Sequence, residues 1–99
     1  MHYIFDIDKT ILETHGNDYY TSVPIVGRIS RVNALFAEGH RITYYTARGG
    51  NSGKDWEEFT RNQLNIFGCY YDELKMKKPS YDLWVDDKSV HSDDFFMDN

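Results

Sequence analysis

Asp6 and Asp8 alternate in the string Asp6-Ile7-Asp8-Lys9-Thr10, directly after a short apolar run. Thr46-Ala47-Arg48 closes a second run rich in β-branched and aromatic residues, and Asp86-Asp87-Lys88 closes a third, with Lys78 shortly before it. Carboxylate, hydroxyl and ammonium groups in this combination suit phosphoryl transfer. A carboxylate is a competent nucleophile toward phosphorus and forms an acyl phosphate. Its approach to an anionic phosphate is opposed by charge, which a hard cation on oxygen ligands removes; magnesium suits one or two carboxylates plus water and phosphate oxygens. A hydroxyl and an ammonium then hold the remaining phosphoryl oxygens.

Such residues act together only if a scaffold brings their segments to one edge. The pattern predicts a strand over residues 3–6, then a polar loop or small flap containing Gly16, Asn17 and Asp18. Pro24 opens a helix with Ile25, Ile29, Val32 and Phe36 on one face, and Gly39 is placed to close it. A second strand is expected over residues 41–46, followed by a loop at Gly49, Gly50, Ser52 and Gly53. A helix over residues 55–67 would use Trp56, Phe59, Ile66 and Phe67 as core contacts and stop at Gly68. Strands over 73–76 and 83–85 complete the pattern. Alternation of this kind implies an α/β fold: a parallel sheet with helices on its faces and ligands beyond the carboxyl ends of its strands.

The 99 residues make one domain, with a hydrophobic fraction that supports a folded globule. The net charge of -5 argues against a nucleic-acid partner, although acids gathered around a cation would be internal to a site. No apolar run reaches membrane-spanning length, and the single cysteine, Cys69, makes reducing cytoplasm the expected location.

The string Asp6-Ile7-Asp8-Lys9-Thr10 resembles the DxDxT first motif of the haloacid dehalogenase (HAD) superfamily. Thr46 resembles its second motif, Lys78 its third and Asp86-Asp87 its acidic fourth, in the family's chain order. The stretches Tyr44-Tyr45-Thr46-Ala47-Arg48-Gly49 and Lys78-Pro79-Ser80-Tyr81-Asp82-Leu83-Trp84-Val85-Asp86-Asp87 are most similar to very small capless phosphatases of capsule and lipopolysaccharide sugar-phosphate loci. The resemblance implies a minimal capless core, a Rossmann-like three-layer sandwich around a small parallel sheet. It implies Asp6 as nucleophile and magnesium ligand, and Asp8 as acid and base with its carbonyl on the metal. Thr46 and Lys78 would be the phosphoryl clamps, with Asp87 a direct metal ligand supported by Asp86. Lys77, beside Lys78, is the alternative third-motif lysine. The substrate implied is a sugar phosphate or a similar small phosphorylated metabolite.

Each residue also has a plainer reading. Asp86-Asp87 suits a loop or helix cap, Thr46 a strand-end hydroxyl that caps the next turn, and Arg48 either a surface charge or a clamp on the leaving group. Trp56, Phe59, Tyr19-Tyr20 and Tyr70-Tyr71 read as packing residues ahead of sugar-stacking ones, and the four histidines as surface or structural. Asp93-Asp94 reads as surface or cap. Two other functions fit the same residues: a phosphatase of nucleic-acid or protein phosphate ends, and a non-catalytic receiver-like module. The receiver's chain order of acidic pair and lysine is reversed here. A homo-oligomer is expected, with the loop over residues 11–23 above the entrance.

Overall fold

The computed structural model describes residues 1–50 and 54–98. Its elements are β1 (His2–Phe5), β2 (Leu12–Glu13), β3 (Val23–Pro24), α1 (Val26–Ala37), β4 (Arg41–Tyr45), α2 (Glu57–Ile66), β5 (Glu73–Lys75) and α3 (Ser92–Phe96). β1, β4 and β5 pair in parallel in that order, with Tyr3 opposite Ile42, Phe5 opposite Tyr44 and Tyr44 opposite Leu74. β2 and β3 form a separate antiparallel hairpin, the expected flap, with a 3-10 turn over Tyr19–Thr21 at its tip. Ser52 and Gly53 of the predicted glycine-rich loop lie outside the described residues.

Neighbours in register point to the same face of a sheet. Tyr3, Phe5, Ile42, Tyr44 and Leu74 therefore share one face; Tyr3 packs against, and the other four belong to, the core cluster that holds Ile29 and Val32 of α1, Leu64 of α2 and Phe96 of α3. All three helices thus bury their apolar residues against one side. Successive right-handed crossovers stepping in one direction leave both connecting helices on the same face. The opposite face carries a polar row in which Thr43 Oγ1 meets His2 Nε2 at 2.8 Å and Glu73 Oε1 at 3.3 Å, with Ile4 61% exposed nearby. This corrects the three-layer expectation: the described residues form two layers, sheet and helices.

Local sequence explains the helix ends. Gly39 (φ +92) and Gly68 (φ +74) take left-handed conformations after α1 and α2, and the next residues, His40 and Cys69, return N–H bonds to Leu35 and Leu64. Pro24 sits in β3 rather than at the start of the helix, because its strand pairs with Leu12 before α1 begins at Val26. Ile66, expected in the core, is exposed.

Two further differences concern the C-terminal segment. Residues 83–85 form no strand; Leu83 is 79% and Val85 84% exposed in a stretch without regular structure. A short helix, α3, follows instead. The buried guanidinium of Arg28 holds it to α1, donating to Asp93 at 2.8 Å and to Asp98 at 2.8 and 3.0 Å while lying 4.8 Å from the Phe96 ring centroid. These carboxylates keep Arg28 above its usual pKa, and Arg28 in turn holds Asp98 below the usual carboxylate range. Asp93, read as surface or cap, is thus half of a clasp.

Candidate active site

The segment after β1 is a tight turn. The carbonyl of buried Ile7 accepts N–H bonds from Thr10, Ile11 and Leu12 at 2.9–3.1 Å, and Lys9 takes a left-handed φ of 65. This turn places Asp6 and Asp8 at the carboxyl end of the sheet. β4 ends beside them. Thr46 extends its ladder by donating to the Lys75 carbonyl at 3.0 Å, and the Thr46 carbonyl accepts from the Lys78 N–H at 2.8 Å. The chain after β5 is thereby tied to the end of β4, and Lys78 Nζ lies 4.0 Å from Asp6 Oδ1. Lys77 is exposed and takes a positive φ of 62, so Lys78 is the lysine directed at Asp6. Burial raises the Asp6 carboxyl above the usual carboxylate range, against the opposing pull of Lys78.

Asp8 is held by a network that sequence reasoning missed. Arg48, 1% exposed, grips both of its oxygens, Nε to Oδ2 at 2.9 Å and Nη2 to Oδ1 at 2.7 Å. Nη1 donates to Thr60 Oγ1 at 3.2 Å and Gln63 Oε1 at 2.8 Å on α2, and the guanidinium lies 4.4 Å from the Tyr19 ring centroid. Arg48 is therefore a buried support for Asp8, neither the surface charge nor the leaving-group clamp that its position suggested. Thr14 donates to Asp8 Oδ1 at 2.7 Å, so the 2.7 Å contact between Thr14 and Ser22 is made with the Ser22 proton. Gln63 Nε2 donates to the Tyr19 carbonyl at 2.8 Å, joining α2 to the flap.

A carboxylate offers about four lone-pair positions, two on each oxygen. Among the described residues, Oδ1 receives Arg48 and Thr14, and Oδ2 receives Arg48. Oδ2 retains the acceptor position on which a proton can be carried.

Thr46 is buried and its Oγ1 accepts from the Arg48 N–H at 3.2 Å, the turn-capping role of its plainer reading. Accepting leaves its own proton available for donation. Asp86 and Asp87 are exposed. Asp86 accepts from the Lys88 N–H at 3.0 Å, which caps its own turn and holds its carboxyl below the usual range. Among the described residues no three acidic, histidine or cysteine side chains gather closely enough to share one cation. Asp6 and Asp8 stand at the carboxyl end of β1, and Asp86 and Asp87 lie exposed in the C-terminal segment. Cys69 is buried, and its thiol is pushed up to about 11, which suits a small apolar residue rather than a nucleophile.

No family model and no curated protein matches the chain. Its fold is similar to the crystal structure of a structural-genomics target from Vibrio cholerae, with a TM-score of 0.85 and 26% sequence identity over 99% of this chain and 89% of that one. The described residues contain no helix long and apolar enough to cross a membrane.

Proposed function

We propose that the chain is a phosphomonoesterase, a minimal capless member of the HAD superfamily, acting on a sugar phosphate or a similar small phosphorylated metabolite. The observation that carries this reading is the approach of Lys78 to 4.0 Å from Asp6 at the carboxyl end of the sheet. An Asp6 oxygen forms the new bond to phosphorus while the bond to the leaving oxygen breaks. Lys78 and the Thr46 hydroxyl hold the phosphoryl oxygens through this step. Asp8 Oδ2 carries the proton that the departing alkoxide takes, then removes one from the water that cleaves the aspartyl phosphate. Magnesium belongs to this reading through the resemblance alone. When bound, it would neutralise phosphate charge, and no step above depends on it.

The test is to trap the intermediate. Brief exposure to acetyl phosphate, acid quench and peptide mass spectrometry should find one phosphoryl group on Asp6, absent in Asp6→Asn. Repetition with excess chelator reports the metal requirement, which the resemblance predicts. Phosphate release without label on Asp6 would remove the covalent mechanism, and release from phosphorylated oligonucleotides alone would favour the nucleic-acid-end reading.

A further inference from the structure

We propose that the cleft between the flap and the start of α2 is the subsite for the group esterified to the phosphate, and that it takes a single polyhydroxylated ring. This rests on the phosphatase reading and adds the residues that select the substrate. The cleft holds about 240 Å³, with Asn17, Tyr19, Ala47, Trp56 and Ser80 among its walls.

Its position follows from the chain. Ala47 joins Thr46 to Arg48, and Ser80 lies two residues beyond Lys78. Tyr19 packs under the Arg48 guanidinium, where burial and then the charges of Asp8 and Asp6 keep its hydroxyl protonated above the usual range. The inner end of the cleft thus adjoins the carboxylates, and a substituent on a phosphoryl group held at Asp6 has this space beside it.

Its chemistry follows from the walls. The Tyr19 and Trp56 rings meet edge to face, with centroids 5.0 Å apart and planes at 84°, forming a corner. Tyr20 and Phe59 back Trp56 at 5.3 Å each, and Lys54 Nζ lies 4.4 Å from the Trp56 ring centroid while donating to the Tyr20 hydroxyl at 3.0 Å. A corner braced in this way offers contact area to C–H groups at low cost in ordering. Asn17 and Ser80 add neutral hydrogen-bonding groups suited to hydroxyls. Gly49 permits the close wall: at its φ of +79 a Cβ would stand 2.7 Å from the Lys54 carbonyl oxygen.

Size narrows the class. Pockets for drug-sized ligands hold about 300–1,000 Å³. A cleft of about 240 Å³ admits one ring rather than a nucleoside.

The experiment uses full-length protein carrying Asp6→Asn, to stop turnover, and Trp84→Phe, which leaves Trp56 as the one tryptophan emitter. Titration with glucose 6-phosphate should give a saturable change in Trp56 emission, with affinity roughly tenfold above glycerol 3-phosphate, the scale of one good aromatic contact. Asn17→Ala and Tyr19→Leu should each reduce that affinity roughly fivefold. In the otherwise unaltered enzyme, Trp56→Leu should lower the ratio of kcat/KM for glucose 6-phosphate to that for acetyl phosphate by a similar factor. Equal binding of glucose 6-phosphate and glycerol 3-phosphate, or tighter binding of AMP, would overturn the subsite. Ring-selective emission without turnover of any phosphate would support the cleft as a ring site and overturn the phosphatase reading instead.

Discussion

At Asp6 burial and Lys78 act in opposite directions, and burial is the stronger, so ionising this carboxyl costs the folded state. A raised folded pKa makes stability fall as pH rises from the ordinary aspartate value through the raised one. Asp6→Asn removes that loss. It should abolish turnover, by roughly 10⁴–10⁶, while melting at a higher temperature than the parent at pH 7 and losing that advantage near pH 3. Calorimetry at the two pH values measures both terms, and a less stable variant at pH 7 would contradict the burial argument. Arg48 leads to the opposite expectation. Removing one partner of a buried ion pair costs about 3–5 kcal/mol, so Arg48→Met should lower stability and also reduce kcat by about 10²–10⁴ through loss of the Asp8 orientation. Pairing it with Asp8→Asn in a double-mutant cycle checks the coupling: non-additive losses in kcat are expected, and additive ones would separate the two residues. Asp6, Asp8 and Lys78 were legible because each stands at or beyond a strand end, where sequence order predicts convergence. Arg48 was not. Its partners Thr60 and Gln63 are polar residues three apart, adjoining Leu64 on the buried stripe of α2. A polar pair inside such a stripe was the available signal for a buried cation.

At the scale of elements, periodicity located β1, both long helices, β4 and β5 to within two residues, and glycine marked both helix ends. It failed where apolar character was read without a neighbour. Residues 83–85 have strand composition, but a strand is stabilised by its pairing. Here Trp84 packs against Tyr81, their rings 5.1 Å apart, and Lys78 lies over both. Ile66 is hydrophobic, but the buried stripe Thr60, Gln63 and Leu64 runs along another side of α2. β4 supplies a test of how the core is satisfied. The Tyr44 hydroxyl is fully buried without a hydrogen-bond partner among the described residues, and burial raises its pKa. An unmade buried hydrogen bond costs about 1–3 kcal/mol. Tyr44→Phe keeps the ring contacts with Phe5 and Tyr71 and removes only the orphaned oxygen. It should stabilise the domain by about 1 kcal/mol, a rise in Tm of roughly 4–8 °C for a chain of this size. A lower Tm would reveal a partner for that hydroxyl.

For the whole molecule, the two-layer arrangement changes where self-association should occur. Sequence composition pointed to surplus aromatics above the entrance. The structure instead uses Tyr19, Tyr20, Trp56 and Phe59 in one cluster beside the site, and Tyr3, Phe5, Phe95 and Phe96 in another within or against the core. Exposed apolar groups include Ile4 on the open sheet face and Leu83, Val85 and Val90 in the C-terminal segment. β1 is also an edge strand, and an unblocked edge is a template for pairing with another chain. The open face carries Arg41, 3.7 Å from Glu73 across the strands, so it presents both charge signs and is suited to an isologous contact between two copies. Light scattering at tens of micromolar should therefore give twice the mass of one chain. Leu83→Lys with Val85→Lys should return it to one, because two desolvated ammonium groups oppose such a contact. Loss of dimer with full retention of turnover would place the interface apart from the chemistry. Loss of both together would mean that the second copy completes the site, as the expectation of a covered entrance requires. A wild-type protein that scatters as a single chain at that concentration would remove self-association from the account and leave the flap, braced through Gln63 and Arg48, as the cover over Asp8.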